Sequence, residues 1–217
     1  MHFHPEGGAV AVGNSDGSVE VFVLGQHATL LHAYRFTGHK GLINRIRWSP
    51  VGHWLASASD DSTVAVHDLT RILSEESLSV GALPVTPTIT TTAHQLLKGH
   101  QRGVTSVAWS PDRSLRLATA SLDGKIMVWD AARAQLLHTL EGHLGRVFAV
   151  VWSCVETDQL LSGSEDQTVR IWDLNIKTMK PAAAESGAAP KKPENSKKQP
   201  FRGKDLRFGY YFNKYSN

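Results

Sequence analysis

Two kinds of catalytic chemistry can be read into the residue types of this chain. The stretch VGNSDGSVEVF, residues 12–22, holds Gly13-Asn14-Ser15-Asp16-Gly17, the G-x-S-x-G spacing of a hydrolase nucleophile elbow. Histidine, hydroxyl and aspartate also recur in sets with the composition of a Ser-His-Asp triad: His39, Ser57 and Asp61; His100, Thr119 and Asp123; His143, Ser162 and Asp166. The last two sets each end on a tryptophan, Trp129 and Trp172. An elbow needs a strained turn from a strand into a helix. After Ser15, Val19 and Val21 instead alternate with polar neighbours, the period of a strand, so Asp16-Gly17 reads as a hairpin turn and Ser15 as a turn residue. The triads meet a different objection. Each recurs once per sequence segment and is closed by an indole donor, which fits a buried hydrogen-bonded network fixing a loop against a sheet. The aspartate accepts from imidazole, imidazole orients the hydroxyl, and the hydroxyl accepts from the indole N–H. In the earliest full set His67 replaces the tryptophan, and in the segment before it Phe22 can donate nothing.

The elements that must hold these sets recur with one spacing. Asp16, Asp61, Asp123 and Asp166 are separated by 45, 62 and 43 residues, and Phe3, Trp48, Trp109 and Trp152 by 45, 61 and 43. Gly38-His39, Gly99-His100 and Gly142-His143 repeat the last two steps, 61 and 43. Three landmarks with one spacing make an internal repeat of about 43 residues, with about 18 extra residues between Asp68 and His94. That insertion, TRILSEESLSVGALPVTPTITTTA, contains Pro84 and Pro87 among serines and threonines and is expected to be a long surface loop.

A period of about 40–45 residues, with Gly-His near the start and Trp-Asp at the end, is the signature of WD-repeat propeller blades. The chain resembles the WD-repeat family. The expected fold is all-β, an incomplete propeller arc of about four blades with a disordered basic C-terminal tail. Residues 1–24 form a partial blade, 25–69, 94–131 and 132–174 full blades, 70–93 the inserted loop and 175–217 the tail. In each blade INRIRW, SVAWS or FAVVWS is the inner strand, WLASAS, LATAS or LLSGS the second, and TVAVH, KIMVW or TVRIW the third. LLHAYRF, HQLLKG and LLHTLEG are the outermost strands. Propellers close with about 4–8 blades. An open arc leaves apolar faces uncovered, at about 12 kcal/mol for about 500 Å², so further blades of a longer chain, or another chain, are expected to complete it.

A narrower resemblance rests on AVGNSDGSVEVF, on VHDLTRIL with a long insertion ending in HQLLKGH, and on VTSVAWSP, SLDGKIMVWDA and EGHLGRVFAVVWS. These stretches are similar to the snRNA-recognising gem-associated WD-repeat proteins of the survival-motor-neuron complex. The resemblance implies non-catalytic recognition of small nuclear RNA, at its Sm-site uridines and 7-methylguanosine cap, during spliceosomal snRNP assembly. It implies other Gemin or survival-motor-neuron subunits as partners, and a cytoplasmic and nuclear location. It also implies two RNA-binding positions: Lys40, entering an inner strand, and His53, heading a second strand where that family has tyrosine. The reading from a different class is a generic protein-interaction scaffold. A ubiquitin-ligase receptor is disfavoured, because W-D-x-R would need arginine at Ala132 and the arginine comes one place late, at Arg133.

Composition bounds the rest. The 217 residues, 41% hydrophobic, suffice for one ordinary domain. No apolar run reaches 18 residues and MHFHPEGGA opens inside a repeat, so neither membrane insertion nor a secretory signal is expected. Cys154 stands alone, excluding an intramolecular disulfide and a cysteine zinc site. His2 and His4 in HFH have no third metal ligand in view; no metal or cofactor is expected. Charge is uneven: residues 1–174 hold 13 Lys or Arg against 17 Asp or Glu, and residues 175–217 hold 10 against 3. The tail interleaves Phe201, Phe208, Tyr210, Tyr211, Phe212 and Tyr215 with Arg202, Lys204, Arg207 and Lys214. That pattern suits stacking on single-stranded nucleic acid, or a solvated extension with no such role.

Overall fold

The computed structural model describes residues 1–24, 30–70, 88–90 and 95–175. The expected disordered tail from residue 176 onward lies outside the described residues, as do 71–87 and 91–94 of the expected inserted loop. The described chain is all β and forms four sheets. The first contains β1 (His2–Phe3), β2 (Ala9–Gly13), β3 (Val19–Leu24) and β4 (Leu30–Phe36). The second contains β5 (Ile43–Trp48), β6 (Trp54–Ser59), β7 (Thr63–Asp68) and β9 (Gln95–Lys98). β10 (Val104–Trp109), β11 (Arg116–Ser121), β12 (Ile126–Asp130) and β13 (Gln135–Leu140) make the third. β14 (Val147–Trp152), β15 (Gln159–Ser164) and β16 (Val169–Asp173) make the fourth. Within each set the strands pair antiparallel in chain order. Ser15 lies in the turn of a hairpin that pairs Gly13 with Val19, and Gly17 takes the left-handed φ of 83° this turn requires.

Two features depart from the sequence reading. The sheets are offset from the repeat by one strand: β4 pairs with β3, β9 with β7 and β13 with β12. Segments 25–69, 94–131 and 132–174 are therefore not single blades, because β4, β9 and β13 each complete the sheet before. A period carries no starting point, so the spacing of landmarks cannot say where a sheet begins. The second departure is Thr88–Thr90 of the expected loop, which forms a short strand, β8, parallel to β4 with Tyr34, Arg35 and Phe36 opposite Thr88, Ile89 and Thr90. It pairs the outer edge of β4, whose backbone groups would otherwise be unmet.

Sheets stack face to face through three apolar seams. Ala11, Val19 and Val21 of the first meet Ile43, Ile46 and Leu55 of the second; Ala56, Ala58 and Val66 meet Val104, Val107 and Leu117 of the third; Ala118, Ala120 and Ile126 meet Val147, Val150 and Leu160 of the fourth. Alanines interleaved with branched residues let the sheets approach to about 10 Å. Directional contacts fix the stacking. The indole N–H of Trp48, Trp109 and Trp152 donates to the carbonyl of His2, Arg47 and Ala108 in the preceding inner strand, at 3.1, 3.0 and 2.8 Å. In the other direction, Asn44 and Thr105 sit at a register shift in their inner strands and donate to the carbonyls of Val104 and Val147, at 2.9 and 2.7 Å. The inner strands of successive sheets thus become neighbours, and the sheets fan outward from them.

Candidate functional site

The loop before each inner strand and the turn between the second and third strands meet at one end of each sheet, where the recurrent polar residues converge. In the third sheet His100 Nδ1–H donates to Asp123 Oδ2 (2.9 Å), His100 Nε2 lies 2.8 Å from Thr119 Oγ1, and the Trp129 indole donates to that same oxygen at 3.0 Å. The fourth sheet repeats this with His143, Asp166, Ser162 and Trp172 at 2.8, 2.7 and 2.8 Å. In the second sheet His39 meets Asp61 and Ser57, each at 3.0 Å, and Thr63 donates to the same aspartate at 2.6 Å. The aspartates also accept the backbone N–H of the residue after each histidine, Lys40, Gln101 or Leu144, which ties the loop to the turn. Ser57, Thr119 and Ser162 are buried. The sets have the order of a catalytic triad, but their hydroxyls face no solvent.

Burial by itself would raise the Asp123 carboxyl, but donors from His100 and from the backbone of Gln101 and Lys125 outweigh it and hold the group down at about 2. Asp166 is likewise lowered: burial opposes ionisation, and Thr168, the Leu144 N–H and His143 overcome it. A carboxyl depressed in the folded state stabilises the fold above its unfolded value of 3.8 and loses that contribution as pH falls through about 2. Every group aimed at Asp123 is a donor. Asp123→Ala should therefore destabilise by about 1–3 kcal/mol at neutral pH, the usual penalty for stranding buried partners, and an unchanged urea midpoint would rule out that contribution.

The tryptophans also help to explain the glycines before His100 and His143. A Cβ added at Gly99 would stand 2.9 Å from the Trp129 ring, and one at Gly142 3.3 Å from the Trp172 ring. At Gly38 it would meet nothing within 4 Å, because His67 occupies the tryptophan place. His67 is buried against the Phe36 ring, 4.4 Å between centroids, and neither ring nitrogen has a hydrogen-bond partner among the described residues. The sequence shows that the indole donor is missing at this position, but only the packing shows the orphaned imidazole that takes its place.

The two expected RNA contacts are not brought together. Lys40 is exposed at the end of the second sheet where the networks lie; its backbone is anchored on Asp61, and its ammonium has no partner among the described residues. His53 is also exposed but precedes β6 at the opposite end, its carbonyl accepting from Leu69 N–H. The six-residue strand β5 separates them by about 20 Å. They were 13 positions apart in sequence, yet they occupy opposite ends of one blade. At the Lys40 end, a cleft of about 310 Å³ opens between the third and fourth sheets, lined by Arg102, Leu122, Gly124, Leu144, Arg146 and Glu165. Arg146 approaches Glu165 at 3.6 Å, and Arg102 makes no side-chain hydrogen bond or ion pair among the described residues.

The profile described as WD domain, G-beta repeat, matches residues 30–68, 91–130 and 134–173. Among curated proteins, the chain is 34% identical over 139 residues to Gem-associated protein 5 of Homo sapiens, covering 61% of this chain and 9% of that protein. The Mus musculus protein of the same name matches with the same identity and coverage. Protein hir-1 of Neurospora crassa is 31% identical over 150 residues, 64% of this chain and 14% of that protein. The matched region thus spans only about a tenth of the length of these relatives.

Proposed function

The chain belongs to the WD-repeat family, and from that premise we propose that its blades form a non-catalytic RNA-recognition surface that takes part in spliceosomal snRNP assembly. The RNA class is what the resemblance to the snRNA-recognising gem-associated proteins implies, and the similarity to Gem-associated protein 5 supports that resemblance. The observation that carries the reading is Lys40. It occupies the place held by Gln101 and Leu144 in the next two sheets, its backbone pinned by Asp61 and its ammonium exposed at the rim without a partner among the described residues. A cation whose base is fixed while its head stays solvated is suited to a phosphate or a base edge. The ligand is small nuclear RNA, met at the Lys40 end of the blades. The partners are other Gemin or survival-motor-neuron subunits and further propeller blades, in cytoplasm and nucleus. His53, at the other end of the sheet, does not share the Lys40 contact.

Similarity to hir-1 at like coverage favours a second reading, a protein-interaction scaffold without RNA. Binding of a capped, uridine-rich RNA by the chain and by Lys40→Ala separates the two. Loss of a charge-assisted contact worth about 1.5 kcal/mol should weaken binding about tenfold. If the partner is a phosphate, the slope of log affinity against log salt should fall by about 0.7. If it is a base edge, preference over a scrambled RNA should fall instead. Unchanged affinity, slope and preference would favour the scaffold.

A further inference from the structure

The inner strand of the second sheet departs from its repeat at two places. Arg45 and Arg47 pair with Ala58 and Ala56 across β5 and β6. At the equivalent positions the third sheet has Ser106 and Ala108, opposite Ala120 and Ala118, and the fourth has Ala149 and Val151, opposite Gly163 and Leu161. The fold is thus satisfied there by small or neutral residues, and cations are not needed to build the blade. Two residues apart on one strand, the arginines share a face. Arg45 is exposed and Arg47 half-buried. Partial burial and the neighbouring Arg45 both push the Arg47 guanidinium below its ordinary value, and no carboxylate offsets them. Among the described residues neither arginine makes a side-chain ion pair. The four inner strands, HF, INRIRW, VTSVAW and VFAVVW, hold no acidic residue; their ionisable side chains are His2, Arg45 and Arg47.

His2 is close by and fixed. Its Nδ1 accepts the Trp48 backbone N–H at 3.2 Å, and its carbonyl accepts the Trp48 indole at 3.1 Å. An Nδ1 that accepts leaves the neutral ring's hydrogen on Nε2, a third donor within the fields of Arg47 and Arg45. Burial and the fields of Arg47 and Arg45 keep this imidazole uncharged, lowering it from 6.5. Like charges held together and partly out of water are unfavourable unless an anion joins them, and planar guanidiniums match phosphate oxygens in pairs.

We propose that Arg45 and Arg47, with His2 Nε2–H, form a phosphate-binding site on the inner edge of the second sheet. Arg47 adjoins Trp48, at the end of β5 away from Lys40, so this site does not depend on the Lys40 reading. The shared chemistry is a phosphate group, either free or carried on a single-stranded nucleic acid.

The test uses the full chain and inorganic pyrophosphate in about 0.15 M chloride, where screening beyond about 8 Å suppresses diffuse attraction. Calorimetry gives the affinity, and NMR follows the His2 ring, its resonances identified by their loss in His2→Gln. The double variant Arg45→Ser/Arg47→Ala installs what the third sheet carries and so should fold, a point checked by its melting curve. The wild type should bind saturably with movement of the His2 resonances. The double variant should bind at least tenfold more weakly, while Lys40→Ala should bind like the wild type. Competition by a uridine oligonucleotide for the His2-reported site would identify the phosphate as that of a nucleic acid chain; lack of competition would identify a free phosphate. Binding that leaves His2 unmoved, equal affinity in the double variant, or no saturable binding would each overturn the site.

Discussion

Acidification from pH 6.5 to 3 should cost this fold about 4 kcal/mol through His67 alone. Burial, helped by the field of His39, lowers the His67 imidazole from 6.5 to about 3. In that window the unfolded chain takes up a proton that the folded chain refuses, so stability falls as the pH falls. The loss begins near 6.5 and levels off below about 3. Against a usual domain stability of about 5–15 kcal/mol it is large enough to decide acid unfolding. It precedes the loss from Asp123, which comes between about 4 and 2. Two variants separate the causes. His67→Phe puts at this place the residue type of Phe22 and should flatten the stability curve between pH 6.5 and 4. His67→Trp should flatten it equally. The space beside Gly38 admits the larger ring, so the indole N–H should also reach Ser57 as Trp129 reaches Thr119, gaining about 1 kcal/mol at neutral pH. Urea midpoints measured across this range check both. If wild type and His67→Phe lose stability in parallel, His67 is not the acid-sensitive group.

Solutions of the chain should contain head-to-tail associates, because the two ends of the sheet stack present faces that the interior buries. On the fourth sheet Val169 and Ile171 are 37% and 38% exposed, where Ile126 and Val128 of the third are 0%. On the first sheet Phe3 and Leu24 are 61% and 42% exposed, where Trp48 and Leu69 of the second are 4% and 0%. Each end also lacks its polar clasp: Phe3 stands in the place of the donor tryptophans, and Phe148 in the place of Asn44 and Thr105. The faces are therefore apolar and complementary in kind, which favours heterologous contact. About 500 Å² of covered apolar surface is worth about 12 kcal/mol before the costs of association. Mass measured by sedimentation should rise with concentration, and Val151→Lys/Ile171→Lys should abolish the rise without lowering the melting point. A cooperatively unfolding monomer at all concentrations would contradict the open-face account.

Much of this architecture was legible in the sequence, because turn aspartates, Gly-His pairs and strand-ending tryptophans recur with a common step, and turns and strands are local. The hairpin at Ser15 was legible for the same reason: Val19 and Val21 alternate immediately after it. What the sequence withheld was non-local. The indoles of Trp48, Trp109 and Trp152 served as landmarks of spacing, but each acts on a carbonyl 44 to 62 residues earlier. The assignment of β4 to the first sheet was hidden because a repeat has no phase. That Lys40 and His53 stand at opposite ends of one blade follows only from the sheet, in which β5 runs the whole height of the blade between them. Arg45 and Arg47 were two unremarked cations in a strand until the sheet register set them against Ser106 and Ala108.

The most direct test of the RNA reading is whether the blades, rather than the basic tail, discriminate between RNAs. Ten of the chain's 23 lysines and arginines lie in residues 175–217, enough to bind any RNA without regard to sequence. Affinities for a capped, uridine-rich RNA and for its scrambled counterpart should be compared in the full chain and in a chain ending at Asn175, at several salt concentrations. Removing the tail should weaken both RNAs and reduce the salt slope. The ratio between them should persist, and Lys40→Ala should diminish it in the tailless form. Equal affinity for the two RNAs, or loss of all binding with the tail, would contradict RNA recognition by the blades.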